Sequence, residues 1–295
     1  MGHAGHSHAR EDSSRLRLAL AITATLMVAE VIGGIVSNSI ALLADAGHML
    51  TDVAALGLSL FVAWFAHLPR TSRRTYGYLR WEILAALING VALLLLSAWI
   101  IWESFARFAS PEPITGGVML TIAVLGLIAN IAAARVLHPA SESSQNVRGA
   151  YLHVLSDMLA SVGTVAAAIT IWATGWLPAD PLASLLTTAL IIRGAWNLVR
   201  ESVDVLLESA PAHCQPDAVR AQLEAIPGIE SVHDLHIWTV SSGMVAMSAH
   251  AVVREPERQQ HVLEHIHDAM RLFGIEHVTV QLEREDMAAR EKHLH

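Results

Sequence analysis

Six stretches of this chain are apolar for long enough to cross a bilayer, and no other feature restricts its folds as strongly. They cover about residues 16–36, 40–66, 83–102, 116–136, 151–173 and 182–199. A membrane helix needs roughly 20 mostly apolar residues, and in hydrocarbon it must satisfy its own backbone hydrogen bonds. Ser37, Asn38 and Ser39 make a tight turn between the first two runs, and the breaker-rich 175–181 separates the last two. With 53% hydrophobic and 16% charged residues, the chain is too apolar for an ordinary soluble protein of 295 residues. The polar residues 1–15 precede the first run, which is long enough to span and is expected to be a retained helix rather than a cleaved signal.

An even number of spans puts both ends on one side, and the arginines say which. Arg10, Arg15 and Arg17 flank the first span, Arg70, Arg73, Arg74 and Arg80 follow the second, and Arg135 and Arg148 follow the fourth. The opposite face has only Arg107. Positive charge marks the cytoplasmic face, so both termini are expected in the cytoplasm, with the chain in the cell (inner) membrane.

Near Leu207 the composition changes. The last 88 residues hold fourteen Asp or Glu against seven Lys or Arg. Short elements alternate here: a helix over 215–225, strands over 233–240 and 244–253, an amphipathic helix over 257–273 and a strand over 277–283. Alternation of Leu235, Ile237 and Thr239 predicts one buried face for the first strand. The expected fold is therefore a membrane all-α bundle of six helices with a small cytoplasmic α+β domain. Its parts are a His-containing tail (1–15), a transmembrane domain (16–206) and the C-terminal domain (207–295). Cys214 is the one cysteine, so neither an intramolecular disulfide nor a cysteine-based zinc site is available.

Two spans carry ionisable residues that lipid would reject. In "LLADAGHMLTD", Asp45, His48 and Asp52 share one helical face; in "AYLHVLSDMLA", His153 and Asp157 are separated by one turn. Charged groups at such depth cost several kcal/mol unless paired or hydrated, so they point into a bundle or an aqueous cavity. Two helices that each offer a His-x3-Asp pair can set two imidazoles and two carboxylates around one point, which suits a zinc-type divalent ion. Asp45 is read as auxiliary: an outlying or entrance carboxylate, or the partner of a basic group. Glu30, Asn89 and Asn130 are expected to hydrogen-bond between helices.

The segments "SIALLADAGHMLTD", "RRTYGYLRWEILAALING", "AYLHVLSDMLASVG" and "VHDLHIW" resemble, in order, the signatures of the cation diffusion facilitator family. The likeness is greatest to its bacterial zinc-exporting branch with a His-rich N-terminus, and runs from about residue 15 to 283. It implies a homodimeric exporter with six spans per subunit and a metallochaperone-like cytoplasmic domain, with no cofactor. The family's transport ligands fall on His48, Asp52, His153 and Asp157, and a His in the second-span pair goes with zinc preference over cadmium. In the cytoplasmic domain the matching metal positions are His233, His250, His261 and Glu283, while Gln281 stands where some relatives have a ligating His.

Metal and protons compete for neutral imidazole and ionised carboxylate, so such a site can exchange Zn²⁺ for H⁺ as it faces each side in turn. The expectation is a secondary active zinc exporter, not an enzyme, with zinc also a regulatory ligand that tightens the dimer. Its expected partners are the bilayer, H⁺, a second copy, and Zn²⁺ with Cd²⁺, Co²⁺ or Fe²⁺ as competing ions, with no nucleic acid. Two other readings compete. A membrane metalloenzyme would need an open coordination position for water, and the chain lacks HExxH. A membrane-anchored metal sensor would need no ionisable residue in mid-membrane.

Overall fold

The computed structural model describes residues 4–50, 53, 72, 75–141, 145–241, 243–253 and 255–284. They belong to two compact units, one drawn from Met1–Gly57 and Ile88–Asn197, the other from Leu58–Leu87 and Leu198–His295.

The long helices are α1 (Ala4–Ser37), α3 (Trp81–Ala109), α4 (Gly116–Ser141), α5 (Gln145–Thr174) and α6 (Ala179–Leu206). Each contains a segment long and apolar enough to cross a membrane, and the shorter apolar helix α2 (Ile40–Leu50) is the described part of the expected second span. Asp52 and most of 51–66 lie outside the described residues. Because α1 begins at Ala4, the polar residues ahead of the first span continue the same helix.

Packing in the first unit reverses that of a soluble protein. Ala41, Ala123, Ala133, Ala167 and Ala168 are buried between helices, while Trp102 and Leu159 are each 76% exposed on the outside. Lipid is as apolar as Leu, so large side chains gain nothing by turning inward. Small residues instead let backbones approach and gain van der Waals contact. α4 packs on both α1 and α5 in this way. Asn130 Nδ2 donates to Ser161 Oγ at 3.0 Å across the α4–α5 seam, the interhelical bond expected of it.

A buried polar clasp ties the ends of four helices. α1 stops at Ser37 and the chain turns through Asn38, whose φ of +57° is one that Asn tolerates better than most residues. The start of α2 leaves backbone N–H groups without helical partners. Asp180, the second residue of α6, meets two of them: its carboxylate accepts from Ile40 N at 2.9 Å and Ala41 N at 3.1 Å, and from Ser39 Oγ at 2.5 Å. Ser39 Oγ in turn accepts from Leu42 N at 3.2 Å, as an N-cap does. From α3, Arg107 donates to Asn38 O, to Asn38 Oδ1 at 3.0 Å and to Glu103 Oε1 at 3.0 Å, and its guanidinium lies 3.9 Å from Asp180. The one arginine that the charge count left on the non-cytoplasmic face is thus a structural element.

In the second unit, β1 (Ile229–Ser241), β2 (Met244–Val253) and β3 (Ile275–Glu283) form a sheet in that order, β1 antiparallel and β3 parallel to β2. The helices α7 (Pro216–Glu224) and α8 (Gln259–Arg271) share a core with one face of the sheet: Val219, Leu223, Val262, Ile266 and Met270 meet Val245, Met247, Ala249 and Ala251. The element order follows the sequence reading, but the phase of β1 differs. Val232 and Ile237 are both buried although five residues apart, which strict alternation forbids, while Leu235 and Thr239 are half-buried. A bulge between His233 and His236, with Asp234 at φ +51°, supplies the extra residue. Cys214 is buried in this core, with its thiol against Phe273 O at 3.1 Å. Burial pushes that thiol up from its ordinary pKa, away from the thiolate a metal ligand must be.

Candidate metal centres

His48 sits one turn after Asp45 on α2, and Asp157 lies mid-way along α5. The bundle brings them together: His48 Nε2 is 3.1 Å from Asp157 Oδ1. Asp157 is 4% exposed and Asp45 also 4%, while the His48 side chain is 20% exposed. Of the four transport ligands expected from sequence, these are the two whose side chains are described. His153 lies on α5 one turn before Asp157, on the same helical face, and Asp52 falls outside the described residues. Asp45 lies one turn before His48 on α2 and is buried.

The cytoplasmic ligand set is built by register. Odd-numbered residues of β2 from Val245 to Val253 face the helices, so His250 is on the other face. His233 pairs directly with His250 across the β1–β2 ladder, and Val252 with Glu283 across β2–β3. Three neighbouring strands thereby present His233, His250 and Glu283 on the helix-free side. His250 Nδ1 is 3.1 Å from Glu283 Oε1, and His233 Nε2 is 3.5 Å from Glu283 Oε2. One ligand atom from each lies within 4.8 Å of the others. Two imidazoles and a carboxylate at that spacing fit three positions of a tetrahedral divalent site and leave the fourth open.

His261 is not part of this group. It lies on exposed α8 with its ring 4.2 Å from that of His265, and its own side chain is 68% exposed. Helical spacing puts His261 and His265 side by side, and this local partner takes the place of the one expected on the sheet. Two neighbours of the group have roles the sequence reading did not assign, Gln281 having been noted only as replacing a ligating His and Asp234 not at all. Gln281 Nε2 donates to Glu283 Oε1 at 2.8 Å and so orients the ligating carboxylate. Asp234, turned by the bulge, lies 3.9 Å from His250 Nε2 and 2.9 Å from His236 Nε2. No spacing rule could reveal Asp234, because its direction depends on a backbone irregularity.

This architecture agrees with comparisons to known proteins. The model of the cation efflux transmembrane domain matches residues 16–207. The chain belongs to the cation efflux family. A second model, that of the cation efflux protein cytoplasmic domain, matches residues 211–285. Similar relatives include the zinc transporter ZitB of Pectobacterium atrosepticum, 46% identical over 94% of this chain and 88% of that protein. The zinc transporter ZitB of Escherichia coli is 44% identical over 98% and 93%. The cadmium, cobalt and zinc/H(+)-K(+) antiporter of Bacillus subtilis is 41% identical over 95% and 92%. As a cation efflux protein the chain is a membrane transporter and not an enzyme.

Proposed function

We propose that this cation efflux protein exports Zn²⁺ in exchange for H⁺, by alternating access around His48, Asp52, His153 and Asp157. The observation that carries the reading is the 3.1 Å approach of His48 and Asp157 from different spans, with the carboxylate buried and the imidazole partly exposed. A buried carboxylate beside an imidazole is the donor set that binds zinc when deprotonated and loses it when protonated. The names of the relatives support zinc as cargo and protons as counter-ion. Cd²⁺ and Co²⁺ are accepted more weakly, since the same N and O ligands serve them. The protein works as a homodimer in the cell inner membrane with both termini cytoplasmic, in line with the arginine distribution and the cytoplasmic-domain match.

The direct test is the full chain in proteoliposomes under an imposed pH gradient, with zinc uptake followed by an entrapped fluorescent indicator. Gradient-dependent uptake is expected, collapsing when the gradient is dissipated. Uptake indifferent to the gradient would overturn the proton-coupled reading.

Within this proposal His233, His250 and Glu283 hold a regulatory ion. In full chain carrying Asp157→Ala to silence the transport site, His250→Ala is expected to remove one bound zinc per chain in equilibrium dialysis. Gln281→Ala keeps the ligands and should weaken that site by roughly 10- to 100-fold, as groups orienting a ligand do. The same ion should be released on acidification, because protonated imidazole cannot ligate.

A further inference from the structure

The helix α8 carries a pair of imidazoles that the ligand group on the sheet does not use. Val262, Ile266 and Met270 bury one stripe of α8, and His261 and His265 each precede a buried residue by one position. The two therefore stand together on the exposed flank of the helix. Their rings are 4.2 Å apart and nearly perpendicular. His265 Nδ1 lies 2.8 Å from His261 O. A carbonyl only accepts, so Nδ1 carries the proton and Nε2 keeps its lone pair. That is the tautomer of a metal-ligating His whose other nitrogen is fixed by a backbone carbonyl. Glu264 has Oε2 3.9 Å from His261 Nδ1 and accepts from Gln260 Nε2 at 3.3 Å. The stretch from His261 to His265 reads H-x-x-E-H, a spacing that in one class of metalloenzymes sets two imidazoles on one helical turn for zinc. Beside the pair lies a cavity of about 180 Å³, lined also by Gly228, Glu255 and Arg258, with room for an ion and its water.

We propose that His261 and His265 chelate a second divalent ion in the cytoplasmic domain, separate from the one held by His233, His250 and Glu283. The sheet lies between the two, since those three residues are on its helix-free side and α8 packs on the other. Imidazole pairs suit Zn²⁺ and its neighbours in the transition series, not Mg²⁺ or Ca²⁺. Among the described residues no third ligand gathers with His261 and His265 as Glu283 does with His233 and His250, so water completes the coordination. With two protein ligands on an exposed helix the ion is held loosely and exchanges with solvent. The site therefore fills at higher zinc concentration than the group on the sheet, and its existence does not depend on the transport reading.

The test uses the full chain carrying Asp157→Ala and His250→Ala, in detergent, with Zn²⁺ as the probe. Diethyl pyrocarbonate modifies exposed, unligated imidazoles, and tandem mass spectrometry reads each histidine separately. Zinc is expected to protect His261 and His265 together, at one midpoint, and to leave reactive His267, which is exposed two residues further round the helix. Adding His265→Ala should raise the midpoint for His261 about tenfold or more, since even groups that only orient a ligand are worth that much. Thermal unfolding should be unchanged, because the substituted position is exposed. Zinc that protects neither residue, or protects His267 equally, would overturn the site. A His261 midpoint unmoved by His265→Ala would overturn it as well, by showing that His261 binds with some other partner.

Discussion

Replacing Asp157 by Ala abolishes proton-coupled zinc flux, with a loss on the order of 100-fold or more. Groups that merely orient a metal ligand are worth 10- to 100-fold, so removing a ligand costs at least as much. The effect has two causes. Zinc loses an anionic oxygen from a buried carboxylate, and His48 loses the group 3.1 Å away that orients its ring. Asp157→Asn separates the two: the amide can still hydrogen-bond His48 and keep the helices in register, yet carries no charge for the ion. It should be as inactive as the alanine variant while unfolding at the wild-type temperature. Zinc uptake under a pH gradient, paired with a thermal melt, checks both statements. Normal flux in Asp157→Asn would show that the charge is not needed.

Asp180→Ala has the largest expected effect on stability. The carboxylate is fully buried and accepts from Ser39 Oγ and from the first two N–H groups of α2, with Arg107 3.9 Å away. Deleting one partner of a buried charged network strands the rest, at a cost of about 3–5 kcal/mol. For a chain of this size that lowers the unfolding midpoint by on the order of 10 °C. Asp180→Asn retains one accepting oxygen and should fall between wild type and Ala. Thermal unfolding in detergent measures the series, and zinc affinity in the folded fraction should stay at the wild-type value. An unchanged midpoint in Asp180→Ala would mean that the clasp contributes nothing to holding α2.

These two residues differ in how far sequence alone could reach them. Asp157 stood out because it is ionisable, lies mid-span and repeats the spacing of the second span, and each of those properties is local. Asp180 could be read only as a residue in a breaker-rich link, because its partners are about 140 residues away. The same contrast holds in the cytoplasmic domain. His233, His250 and Glu283 came from motif resemblance, and the exclusion of His261 became visible only from the face of α8 on which it lies.

By itself the sequence determined the apolar spans, the element order of the C-terminal domain and the residue types offered as ligands. Those follow from hydropathy and side-chain periodicity, which act over a few turns of chain. Only the tertiary structure decided that His48 meets Asp157, that a bulge at Asp234 resets the face of β1, and that β3 runs parallel to β2. Such facts depend on helix approach distances and strand register, set by packing among residues far apart in the chain, and no local pattern encodes them.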